Sequence, residues 1–163
     1  MSVQTDAQTA EQFFFEAMKS GWAMPVPKSP IPSLPGSKSI PFRIGEYSLL
    51  DYYFVAPGSD SSYGTTVIWV AERPFWVMHY GGWYKKEVIP FLKAALRETY
   101  SQNHFVGGRG PREFRQFGES LLYLNHTEES QNNFAAFYGF EEAMDTKTDR
   151  KLGEHRFFGG LLV

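Results

Sequence analysis

Apolar side chains recur along this chain at two spacings, and the change from one to the other marks its elements. Over residues 9–21 they fall three and four apart: Phe13, Phe14, Ala17 and Met18 share one helical face, Thr9 and Gln12 are spaced like a capping box, and Gly21 is a natural stop. This predicts an amphipathic first helix, with residues 1–8 as a flexible tail. Six of the ten prolines then fall between Trp22 and Phe42 (Pro25, Pro27, Pro30, Pro32, Pro35 and Pro41). That density excludes a helix or an inner strand, and it predicts an extended cover over residues 22–41, anchored by Trp22, Ile31, Leu34 and Ile40.

From Phe42 the period drops to two. Strands are expected over 42–47, 48–56, 65–71 and 75–80, with turns at 57–62 and 72–74, so that 65–80 forms an antiparallel hairpin. In its second strand Phe75, Val77 and His79 point one way and Trp76, Met78 and Tyr80 the other. Both sets are largely apolar, which predicts a central strand in a sheet that is covered on both sides or strongly curved. Gly81-Gly82 reads as the corner into a second helix, where Val88, Phe91, Leu92, Ala95, Leu96 and Thr99 recur at helical spacing and Pro90 lies in the first turn. A loop over 102–112 and strands over 113–117, 121–126, 134–144 and 154–162 follow, with a polar turn at 145–151. The order lacks βαβ alternation. It predicts an α+β fold: a curved, mostly antiparallel β-sheet packed with two main helices, in one globular domain over residues 1–163.

Composition sharpens this. Aromatics make up 17% of the 163 residues, ample for one core, and the formal charge of −2 gives no bulk attraction to nucleic acid or to an anionic membrane. There is no cysteine, hence no disulfide or thiolate site. The first residues resemble no signal peptide, and no apolar run approaches the ~18 residues of a membrane span. A soluble cytoplasmic protein is the expectation.

Several phrases in order resemble a bacterial family known only as domain of unknown function 5680. They are Phe13-Phe14-Phe15-Glu16-Ala17, Pro32-Ser33-Leu34-Pro35-Gly36-Ser37, Glu46-Tyr47 to Tyr52, Pro74-Phe75-Trp76-Val77-Met78-His79-Tyr80-Gly81-Gly82, Phe91-Leu92-Lys93-Ala94-Ala95-Leu96, Arg109-Gly110-Pro111-Arg112 and Phe157-Phe158-Gly159-Gly160-Leu161-Leu162. The resemblance covers nearly the whole chain. It implies a sensory or ligand-binding role, because the family is often attached to helix-turn-helix regulators. The chain starts about twelve residues before the first phrase, and His79 stands where the resemblance leads one to expect asparagine. No catalytic residues come with the family.

The residues themselves offer two polar segments. His79-Tyr80-Gly81-Gly82 brings a histidine to glycines whose N–H groups suit an anion, but it lacks the Lys-Ser/Thr of a phosphate-binding loop. Gly107-Gly108-Arg109-Gly110-Pro111-Arg112 combines flexible glycines with planar guanidinium forks; the alternative is that its arginines pair with Glu141 or Glu142. Of Glu141 and Glu142 at most one points inward. No metal-ligand spacing joins His104, His126 and His155, so neither a metal nor a cofactor is expected. The expected site is an aromatic-lined pocket for a small molecule, with Tyr52, Trp69, Trp76 and Tyr80 as walls and His79, Arg109 and Arg112 as polar groups. A non-enzymatic binding domain is the first reading. An enzyme using the same cleft, and an interaction module or homo-oligomer, are the alternatives.

Overall fold

The computed structural model describes residues 3–22 and 25–162. Helix α1 (Val3–Gly21) is followed by β1 (Ser29–Ile31), β2 (Leu34–Ile44), β3 (Tyr47–Phe54), β4 (Ser61–Val70) and β5 (Arg73–Tyr84). A 3-10 turn at Lys86–Val88 leads into α2 (Ile89–Ser101), and the chain ends with β6 (Glu113–Arg115), β7 (Leu121–Asn133), β8 (Ala136–Asp145) and β9 (Arg150–Leu161). All nine strands form one open antiparallel sheet in the order β1-β2-β3-β4-β5-β9-β8-β7-β6. Two meanders therefore meet at β5 and β9, and α2 carries the chain from the middle of the sheet to its far edge.

Alternation sorts every strand into two faces. One lies under the helices: Phe14 of α1 packs against Trp76 at 5.3 Å and against Tyr100, Phe105 and Phe134, while Trp76 stacks on Phe134 at 4.9 Å. The other is open, and Tyr63 (64% exposed), Phe158 (59%) and Tyr138 (50%) stand on it. The sheet is thus covered on one side, not on both. Its aromatic second face is rows of large rings standing side by side, such as Tyr52 against Phe54 and His79 against Phe158.

Three other expectations are corrected. Helix α1 already runs from Val3, with Thr9 inside it, because Ala7, Gln8 and Ala10 are good helix formers and Ala10 is fully buried; residues 1 and 2 of the expected tail lie outside the described residues. The proline-rich segment contributes β1 and β2 to the sheet itself, β2 lying inside the edge. Its prolines are tolerated because β2 is paired on one side only at each: β1 reaches no further than Ser39, so Pro41 has only β3 beside it, and Pro35 precedes the β3 pairing that starts at Ser37. Ala23 and Met24 of this segment lie outside the described residues. Finally, Gly81 and Gly82 stay within β5, and the corner comes at Lys85. Gly82, with φ +152°, runs so close to β9 that a Cβ would meet the Glu154 carbonyl oxygen at 2.1 Å; a close approach, not a turn, requires this glycine.

Candidate functional site: a polar seam and a cleft under the helices

On the covered face, polar residues stand where alternation calls for apolar ones. Asp51 lies between inward Leu49 and Tyr53 on β3, Glu141 between Gly139 and Ala143 on β8, and His155 between Gly153 and Phe157 on β9. Strand pairing sets Ser62, Gly82, His155 and Glu141 in one row and Asp51, Thr66 and Met78 in another, and Tyr80, from the row between, joins them into one seam through its hydroxyl on Asp51 and its ring under Arg109.

A buried carboxylate must be matched by donors, and two clusters do this. Asp51, 1% exposed, accepts from the Thr66 hydroxyl (2.7 Å), the Tyr80 hydroxyl (2.9 Å) and the Trp22 indole (3.0 Å). Burial pushes its pKa above the ordinary carboxylate value, against those three donors and the nearby Arg109 charge. Glu141, fully buried, takes a two-pronged contact from Arg109, Nη2 to Oε1 at 2.5 Å and Nε to Oε2 at 3.1 Å, plus the Tyr123 hydroxyl at 2.6 Å. Burial raises the Glu141 pKa, but the Arg109 charge and its hydrogen bonds outweigh it, so the net direction is down.

The glycine-rich loop that delivers Arg109 is a fixed, buried part of the core. Thr99 donates to the Arg109 carbonyl (2.6 Å), Tyr100 to that of Gly108 (3.0 Å), and the Asn125 amide to those of Val106 (3.1 Å) and Gly110 (2.7 Å). The N–H of Gly107 is taken by Asn132 and that of Gly110 by Tyr123. Hence the loop has no free donors for an external anion at these positions, and Arg109 pairs with Glu141 as the alternative reading allowed.

Between this seam and α2 lies a cleft of about 230 Å³. Trp22, Tyr53, Tyr80 and Tyr84 wall it, Leu92 and Leu96 of α2 roof it, and Arg109 and His155 line its inner end. Lys28, Lys86 and Lys93 also line it. Two buried polar atoms here have no hydrogen bond of normal geometry: Nδ1 of His155, 4.0 Å from Glu141, and the Tyr84 hydroxyl. The His155 ring is edge-on to Tyr84 at 4.9 Å, and its Nε2 lies 3.4 Å from the Ser62 hydroxyl. Burial, and then the Arg109 charge, lower its pKa to about 4 in spite of Glu141, so the imidazole is neutral at ordinary pH.

The expected site residues are distributed over both faces. Tyr80 and Arg109 do meet, the guanidinium lying 5.4 Å over the phenol ring. His79 and Tyr52 lie on the open face in a broad depression with Tyr63, Arg156 and Phe158, where the Thr65 hydroxyl already sits 3.0 Å from His79 Nδ1. Trp69 borders another shallow hollow with Pro41, Arg43 and Leu50. Trp76 is fully buried and donates to the Phe134 carbonyl. Arg112 is exposed and reaches the Thr127 carbonyl (3.3 Å) and Glu129. His79 and Arg109 therefore do not share a pocket: the sheet separates them. Among the described residues no three His, Asp or Glu side chains are grouped to hold a metal, and no helix is long and apolar enough to cross a membrane.

These features define an α+β domain built on one open antiparallel sheet with a single helix-covered face. Residues 51–162 match the family model for domain of unknown function 5680, and the chain belongs to that family. No curated protein and no solved structure matches it at a significant level.

Proposed function

We propose that the chain is a small-molecule-binding domain whose ligand occupies the cleft between α2 and the covered face of the sheet. The observation that supports it is the cavity itself, with aromatic walls, a roof of α2 side chains and a polar inner end at Arg109 and His155. The volume, about 230 Å³, lies below the range of drug-sized sites and suits a small metabolite. Thermal-shift screening of a metabolite library against wild type, His155→Ala and His79→Ala tests this. Hits kept in His79→Ala and lost in His155→Ala support the cleft; hits lost only in His79→Ala move the site to the open face.

An enzyme acting in the same cleft is the second reading, favoured by one observation: the neutral imidazole of His155 has its Nδ1 4.0 Å from the Glu141 carboxylate and its Nε2 3.4 Å from the Ser62 hydroxyl, the order in which an acid orients an imidazole toward a hydroxyl. Incubating each hit with the protein and following it by NMR separates the two. Unchanged ligand leaves binding alone.

A further inference from the structure

Resting on that cleft as the binding site, we infer that its occupant is a small planar carboxylate, with the anionic end between Lys28 and Lys93 and the ring body between Trp22, Tyr53 and Tyr84. The cleft carries an excess of positive charge. Four cationic side chains line the cleft (Lys28, Lys86, Lys93 and Arg109) against one acid, Asp60. Asp60 is already matched by Lys85 at 2.7 Å, outside the lining, and Arg109 is matched by Glu141. The three lysines make no ion pair among the described residues.

Lys28 is held in place without an ion pair at contact distance, and the nearby Asp51 charge raises its pKa against the larger effect of burial. Its Nζ donates to the Tyr53 hydroxyl at 2.6 Å and stands 5.1 Å over the Trp22 ring and 5.0 Å over the Tyr53 ring. Rings hold a cation but do not neutralise it. Lys93 faces it from α2, and both lysines have pKa values below the ordinary ammonium value, chiefly through burial; for Lys93 the charge of Lys28 adds to the lowering. Two partly buried like charges across one opening disfavour each other, and an anion between them reverses the sign of that interaction. The body of the ligand then meets flat apolar walls. Its far end meets the inner lining at Ser62, Tyr84, Arg109 and His155, so a ring hydroxyl or N–H there has polar neighbours that an apolar ring would leave unused.

The test is calorimetric titration with matched probes: phenylacetate, 4-hydroxyphenylacetate, their primary amides, and phenyl phosphate. The expected result is carboxylate binding at least about tenfold tighter than its amide, weakening with added salt, and tighter still with the 4-hydroxyl. In the double variant Lys28→Met, Lys93→Met the carboxylate should lose about tenfold while the amide is unchanged. Circular dichroism confirms that the variant is folded, as expected when partly exposed ammonium groups are replaced and their stems kept. Amides binding as well as the acids, or phenyl phosphate binding tighter than both acids, overturns the carboxylate assignment and leaves the cleft standing. If none of the probes binds while the metabolite screen yields hits that need His155, the assignment likewise falls alone. If the screen is also empty, the cleft reading falls with it.

Discussion

His155 and His79 sit on neighbouring strands, paired across β5 and β9, yet one faces the helices and the other the open side. His79 has what a histidine needs at a surface: a threonine hydroxyl 3.0 Å away and an aromatic neighbour at 5.2 Å. His155 is 6% exposed, its Nδ1 has no hydrogen bond of normal geometry, and the buried Glu141 carboxylate stands 4.0 Å from it. On the open face polar and aromatic groups share the surface with water, so no arrangement there is forced. On the covered face a fully buried charge must be matched from within the protein, as Glu141 is by Arg109.

The largest test of this contrast uses adjacent acids. Replacing Glu141 with Leu leaves Arg109 buried and uncompensated, and should cost about 3–5 kcal/mol in urea unfolding. The double variant with Arg109→Met should recover much of it. Glu142→Leu, on the open face with Lys151 and His126, should cost less than about 1 kcal/mol. Equal losses at 141 and 142 would break the contrast.

The next is pH. The fold holds the His155 pKa at about 4, below its ordinary 6.5, so the unfolded chain takes up the proton first and the stability associated with neutral His155 falls as pH falls through that window. Asp51 acts in the opposite direction: its raised pKa favours the fold where the carboxyl is protonated, and that contribution is lost as pH rises above the ordinary value. Comparing wild type with His155→Gln isolates the histidine. The variant should lack roughly 3 kcal/mol of the decline between pH 6.5 and pH 4.

Smaller effects come from the paired glycines. Gly82→Ala drives a Cβ into the Glu154 carbonyl and should cost about 2 kcal/mol. Gly81→Ala meets the ring of Tyr63, which is 64% exposed and free to swing outward, so its cost should stay below about 1 kcal/mol. Least of all, Phe158→Ser on the open face should change the melting temperature by no more than the equivalent of ~0.5 kcal/mol.

Much of the covered seam was legible as broken alternation. Leu49-Asp51-Tyr53, Gly139-Glu141-Ala143 and Gly153-His155-Phe157 each place a polar residue on an inward register, and that pattern was the signal for the residues that the expected site omitted. Which acid meets which donor was not legible: Arg109 and Glu141 are 32 residues apart, Asp51 and Tyr80 are 29 apart, and each contact forms only when separate elements pack together. The split of β5 into two faces followed directly from its sequence. What misled was taking apolar character as a sign of cover. Rings such as Tyr63 and Phe158 can stand on an open sheet when their neighbours are also rings, and glycines inside a strand look like the end of it.

The most direct test of the covered cleft as the working surface is long-range proton–nitrogen NMR of the histidine rings near pH 6, before and after adding 4-hydroxyphenylacetate. His155 should be neutral at the start and its ring nitrogen resonances should move on addition, while the His79 nitrogens stay where they are. A protonated His155 at pH 6, or a shift at His79 with none at His155, would contradict it.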